Sequence, residues 1–114
     1  MLDPDIVVLE YDSEGVKASG VIRTGPGRLY SLFGFNNKAS AQYLQVFDAL
    51  AVPADGAVPR LPPLYVASLT SFYYDFGEVG VGFTIGLCWS NSSALAQKTI
   101  GSADCWVHAT VRAT

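Results

Sequence analysis

The residue types that carry covalent or acid–base chemistry are few in this chain: one histidine, His108, two cysteines, Cys88 and Cys105, and ten acids. A cysteine nucleophile needs a base within reach and an environment that favours the thiolate. Cys88 and Cys105 instead alternate with small or apolar neighbours such as Gly86 and Val107, so both read as buried, reduced thiols. They have neither CxxC spacing nor a cluster of His and acids around them, so they predict no zinc site. His108 falls on the polar face of a strand pattern and reads as a half-exposed structural histidine. Asp48, Asp55, Asp75 and Asp104 each sit beside Gly, Pro or a strand end, where a carboxylate ordinarily bonds turn backbone. Gly25-Pro26-Gly27 lacks the following Lys-Ser/Thr and helix of a phosphate loop, and Gly77, Gly80 and Gly82 have hairpin spacing. The expectation is a protein that is not an enzyme, with no catalytic residue, no metal and no cofactor.

Aromatic residues are the more informative group. Tyr65, Phe72, Tyr73, Tyr74, Phe76, Trp89 and Trp106 exceed what one face of a small core can absorb. Because neighbours on a strand point to opposite faces, Phe72-Tyr73-Tyr74 must send rings both ways. Either a tyrosine lies flat on its own sheet, or a ring meets a partner. Tyr65, Tyr73, Tyr74 and Trp106 are the aromatic interface candidates.

The elements that would position these rings are strands. Glycine and proline punctuate the chain at short intervals, and the runs between them are rich in Val, Ile, Tyr, Phe and Thr. Strands are expected over Ile6 to Tyr11, Val16 to Arg23, Arg28 to Phe35, Tyr43 to Asp48, Leu64 to Thr70, Ser71 to Phe76, Val81 to Trp89 and Cys105 to Arg112. In the third, Leu29, Phe33 and Phe35 share one side of the pleat and Tyr30 and Leu32 the other, which suggests a central strand covered on both faces. A short helical turn is expected at Ala39 to Ala41. Val52 to Pro63, with four prolines, reads as a long ordered loop or crossover, and Ser90 to Asp104 as a polar loop. Val81, Phe83, Ile85, Leu87 and Trp89 alternate with small residues in the clearest period-2 pattern of the chain, which places Phe83 and Ile85 in the core and leaves room for a neighbour such as Tyr30 over the small face. In the last strand Cys105, Val107, Ala109 and Val111 point inward and Trp106, His108, Thr110 and Arg112 outward. The expected architecture is all-β: one β-sandwich of about eight short antiparallel strands, jelly-roll-like in type, spanning residues 1–114 as a single domain.

Half of the 114 residues are apolar and 15% are charged, which excludes intrinsic disorder. Seven scattered Lys and Arg and a net charge of −3 argue against nucleic acid as a partner. No apolar run approaches the roughly 18 residues that span a bilayer, so no membrane partner is expected. The acidic start, Met1-Leu2-Asp3-Pro4-Asp5, is unlike a secretory signal and suggests synthesis in a cytosol. Residues 1–12 admit two readings. Ile6, Val7, Val8 and Leu9 are either the first strand of the protein's own sandwich or an N-terminal arm that adds a strand to a neighbouring subunit.

The ordered set Lys17-Ala-Ser-Gly20, Gly25-Pro-Gly-Arg-Leu-Tyr30, Gln42-Tyr-Leu-Gln-Val-Phe-Asp48, Val52-Pro-Ala-Asp-Gly56 with Pro59, Phe76-Gly77, Cys88-Trp-Ser-Asn-Ser92 and Ala103-Asp-Cys105 resembles short structural proteins of tailed bacteriophages. The resemblance runs from Val16 onward and brings no catalytic residues with it. It implies a virion component made in the host cytoplasm, foremost a capsid decoration or cement protein that stabilises the head. Its partners would be the major capsid protein or other virion proteins, and a homo-oligomer is implied, a trimer first because capsid lattices offer threefold positions. The alternative is a small tail or vertex module that binds host carbohydrate or a receptor.

Overall fold

The computed structural model describes residues 8–95 and 97–114. Nine strands are formed among them: β1 (Val8–Asp12), β2 (Ser19–Thr24), β3 (Gly27–Asn36), β4 (Gln42–Phe47), β5 (Leu64–Val66), β6 (Thr70–Asp75), β7 (Val81–Phe83), β8 (Gly86–Ser92) and β9 (Cys105–Ala113). Sheet one has the order β1-β9-β3-β6, with β7 also on β3, and sheet two the order β2-β8-β4-β5. Every pairing is antiparallel. The pairs nest, β1 with β9, β2 with β8, β3 with β6 and β4 with β5, and β9–β3 and β8–β4 contacts close the two sheets. A long folded-over hairpin rolled in this way is a jelly-roll sandwich, as the alternation and turn spacing anticipate.

The core lies between the sheets. Leu29, Leu32, Phe72, Val107, Ala109 and Val111 from sheet one meet Leu44, Val46, Val66, Leu87 and Trp89 from sheet two, all buried. Each of the Leu, Val and Phe side chains contributes roughly 1.5 to 3 kcal/mol by leaving water. The indole of Trp89 is fully enclosed, and its Nε1–H donates to the Tyr11 hydroxyl at 3.0 Å, so its polar edge is satisfied without opening the core. β9 follows its predicted alternation residue by residue from Cys105 to Val111.

Several expectations are corrected. The run Val81 to Trp89 is two strands, because the chain leaves sheet one at Phe83 and enters sheet two at Gly86. The Asp48 carboxylate holds this corner, accepting from Thr84 N, Thr84 Oγ1, Ile85 N and Gly86 N. Phe83 is buried as expected, but Ile85 sits on the corner and is 52% exposed. Gly86 has no room for a side chain, since a Cβ would press on the Ala49 and Arg23 carbonyls. Tyr30 packs beside Gly80 and not over the small face of this run.

Residues 77–80 are not a hairpin turn. β6 and β7 run the same way along one edge of β3, and the segment between them loops out. Its Gly77 and Gly80 take φ of 81° and 72°, which glycine alone adopts freely. The helical turn expected at Ala39 to Ala41 is absent: the chain bends at residues 38–40, and β4 starts at Gln42. The strand expected from Val16 begins at Ser19, preceded by an isolated bridge from Lys17 to Cys105. β5 ends at Val66, and β8 extends to Ser92 into the expected polar loop.

Candidate docking face

The two sheets differ in how their outer faces are treated. Over sheet two lie residues 49–63, 93–95 and 97–100, fastened by Arg60 N to Val46 O, by Gln45 Nε2 to the Ala94 and Leu95 carbonyls, and by Lys98 Nζ to Asp55 Oδ1 at 2.7 Å. Phe47, Cys88 and Ser90, which point away from the core, are buried beneath this cover. Among the described residues nothing covers sheet one in this way at one end, where Phe33, Phe35, Tyr73 and Trp106 are 41%, 38%, 64% and 45% exposed.

Register arranges these rings in two rows. Phe33 stands opposite both Tyr73 on β6 and His108 on β9, and Phe35 opposite Ser71 and Trp106. The Phe33 and His108 rings stack with centroids 4.5 Å apart, and Phe33 and Tyr73 are 6.4 Å apart and tilted. Beyond His108, β1 contributes Asp12 directly opposite it and Glu10 one row along, opposite Thr110. The face can therefore stack, hydrogen-bond and attract positive charge.

A β-bulge puts Phe33 and Phe35 on this outer face. Between Leu29 and Ser31 the β3–β9 register shifts by one residue, leaving Tyr30 as the extra residue. Leu29 and Leu32 thereby share the core side although three positions apart, and the strict alternation expected for Arg28 to Phe35 fails there. β3 is central as expected, with neighbours on both sides, but it is covered on one face only, since Phe33 and Phe35 leave its outer face exposed. Gly34 lets β3 and β9 lie close at this point, since a Cβ there would collide with the Trp106 carbonyl oxygen.

Asp12 is fixed and held ionised. Its Oδ1 accepts from Glu14 N at 2.8 Å and from Trp106 Nε1 at 2.7 Å, and these bonds, the backbone one first, lower its pKa below the ordinary 3.8. Its Oδ2 lies 3.9 Å from His108 Nδ1, and Glu10 Oε1 lies 3.9 Å from His108 Nε2. At the opposite end of the face Arg28 and Arg112 stand directly opposite each other.

The eight residues expected at an interface do not form one surface. Tyr73 and Trp106 share the outer face of sheet one. Tyr65 lies on the outer side of sheet two, edge-on to Tyr43 at 6.1 Å. Tyr74 turns toward the core, and its hydroxyl donates to the Tyr65 carbonyl, tying the two sheets at their β5–β6 edge. Val8 and Leu9 belong to β1 and pair with Arg112 and Val111 of the same chain, as the own-strand reading expects, with Leu9 packed against the core. Ile6 and Val7 lie outside the described residues. Phe33, Phe35 and Asp12 were missed, the first two because the bulge reverses their parity.

The other chemistry-bearing residues are structural. Asp48, Asp55 and Asp75 accept backbone N–H groups at turns, as their neighbours in sequence imply, and Asp104 accepts from the Ser102 hydroxyl. Cys88 and Cys105 are free and buried. Burial raises both thiols, and with Asp104 nearby it pushes Cys105 up to about 11. No group of three His, Cys, Asp or Glu is placed to hold a metal ion among the described residues. The chain matches no protein-family model, no curated protein and no solved structure. Fold and face together define an all-β jelly-roll domain with one covered and one open aromatic outer surface.

Proposed function

We propose that this protein is a structural component of a tailed-bacteriophage particle, a decoration or cement protein that binds the head shell through the open face of sheet one. The observation that carries the reading is the set of four exposed aromatic rings that the register sets side by side on one sheet. Such rings offer large contact area with few rotatable bonds, and large aromatic side chains dominate protein interfaces. The motif resemblance gives the setting, and the jelly roll is a fold that capsid proteins use, which is support by analogy. A homotrimer fits threefold lattice positions and is the oligomer proposed.

Quantitative mass spectrometry of purified particles tests the location. On the order of hundreds of copies per particle indicates a shell lattice, a few to about a few dozen a tail or vertex, and none overturns the proposal. Phe33→Ser with Trp106→Ser should release the protein from particles in co-sedimentation while far-ultraviolet circular dichroism stays unchanged. Retention of that double variant would refute the assignment of the face.

A further inference from the structure

We infer that β6 is a pairing edge for a second copy of this chain: the two β6 strands join antiparallel about Tyr73, so that sheet one continues from one copy into the other. The inference goes beyond the docking reading above, since it concerns contact between copies and not contact with the shell.

The main chain of β6 carries the argument. β6 lies on β3 with Ser31 opposite Asp75 through Asn36 opposite Thr70, and one step further Phe76 N donates to Tyr30 O at 2.8 Å. Residues of an antiparallel strand alternate between bonding a neighbour and turning away from it. Thr70, Phe72 and Tyr74 therefore direct their N–H and C=O groups at β3, and Ser71, Tyr73 and Asp75 direct theirs outward. Among the described residues no main-chain bond reaches these outward groups, and all three residues are exposed.

The other sheet edges are blunted. β5 and β7 are three residues long. β2 is interrupted by a register shift between Val21 and Arg23. On β1, Ser13 N bonds Val107 O, so the outward residues include Glu10 and Asp12, and self-pairing there would set carboxylate against carboxylate. Short strands, bulges and charges are the devices that keep edges from pairing. β6 has none of them: it runs six residues in regular register, without proline or lysine, and its one charge is at the last position.

The occupant follows from self-complementarity. Centred on Tyr73, the pairing sets Tyr73 against Tyr73 of the second copy, Ser71 against its Asp75 and Phe72 against its Tyr74. Only this register engages Ser71, Tyr73 and Asp75 of both copies, for about six main-chain bonds. The aromatic pairs stabilise across strands, and the Ser71 hydroxyl can donate to the opposing Asp75, whose Oδ1 holds Gly77 N at 2.8 Å and whose Oδ2 faces no such bond. Past the ends of β6 the same register carries Leu69 of each copy toward the 77–80 loop of the other. Leu69 is 57% and Val79 71% exposed, and Leu69 holds a φ of 48°, a left-handed conformation uncommon for a bulky apolar residue. A second copy covers both. The twofold axis stands perpendicular to the sheet, so both open faces point the same way, and a pair presents two aromatic surfaces to one shell. Such a contact joins neighbouring trimers without competing for the threefold one.

Sedimentation equilibrium of the full chain from about 10 to about 500 μM should show a reversible doubling of mass. Ser71→Glu sets a second carboxylate against Asp75 at both symmetric positions and should weaken the association at least about fivefold, whereas Ser71→Lys should strengthen it about threefold. Ala54→Glu, in the cover of sheet two, carries the same net charge as Ser71→Glu and should leave the association unchanged. Circular dichroism checks that each variant is folded. No doubling up to about 500 μM would overturn the inference. So would equal weakening by Ala54→Glu, or a weakening by Ser71→Lys that matches Ser71→Glu. Phe33→Ser with Trp106→Ser should still associate, so loss of docking and loss of pairing are read separately.

Discussion

Asp48→Ala removes the acceptor that three consecutive backbone N–H groups share where the chain crosses from β7 to β8. The bonds are 2.9 Å from Thr84 N, 2.8 Å from Ile85 N and 3.2 Å from Gly86 N, with the Thr84 hydroxyl as a fourth donor at 3.1 Å. A hydrogen bond to an ionised group contributes roughly 1.5 to 3 kcal/mol, but less where water can replace it. Thr84 and Ile85 are open to water, so their share is small, whereas Gly86 lies tight against the Ala49 and Arg23 carbonyls and its N–H would be left unsatisfied. The expected loss is about 2 to 3 kcal/mol, a substantial part of a stability of roughly 5 to 15 kcal/mol. Partial burial raises the Asp48 pKa, but the donated bonds outweigh it and hold it below the ordinary 3.8. The folded carboxylate thus takes up a proton less readily than the unfolded one. Its stabilisation is complete above the unfolded pKa and disappears as the pH falls through the folded one. Urea unfolding followed by tryptophan fluorescence at pH 7, and then in steps below about pH 4, should show the gap between wild type and variant narrowing in acid. A loss below about 0.5 kcal/mol at neutral pH, or a gap that does not close, would refute the account of the corner.

Phe83→Ala should cost about 3 to 5 kcal/mol, whereas Ile85→Ala, two residues on but exposed, should cost less than about 1 kcal/mol; chemical denaturation reads both. Gly34→Ala should prevent formation of the β3–β9 pair, seen as loss of cooperative unfolding and of the β-type circular dichroism spectrum, because the new methyl would collide with the Trp106 carbonyl. Intact mass after alkylation should show no labelling of the native protein at neutral pH and two labels after unfolding; a mass lower by two hydrogens that resists labelling would contradict the free thiols.

The parts of this fold that are legible in the sequence are those where a single strand keeps one pleat from end to end. β9 is such a strand, and its inward and outward residues follow from alternation alone. The loop with four prolines reads correctly because proline cannot donate to a ladder. Legibility fails where the backbone breaks the period. Period-2 reasoning places Leu29 with Phe33, yet one bulged residue puts them on opposite faces. Alternation also runs unbroken from Val81 to Trp89, and no side chain in that run announces the change of sheet; the cause is Asp48, more than thirty residues earlier. The candidate docking face is half visible for the same reason. Trp106 and Tyr73 could be read from their own strands, while their neighbours on β3 were hidden by the bulge.

The nested pairing sets an order on how the molecule can be made. β9 lies between β1 and β3, so the last of the nine described strands fills the middle of sheet one and gives β1 its neighbour. A nascent chain halted before Cys105 can assemble β2, β4, β5 and β8, yet it leaves Leu29 and Leu32 uncovered by β9 and one long edge of β3 unpaired. Such an intermediate is a template for pairing with other chains. Completion waits on contacts between residues about a hundred positions apart, the slow end of the folding range, in milliseconds to seconds. Emergence of β9, more than any local hairpin, is then the event that commits this chain to its native sheet.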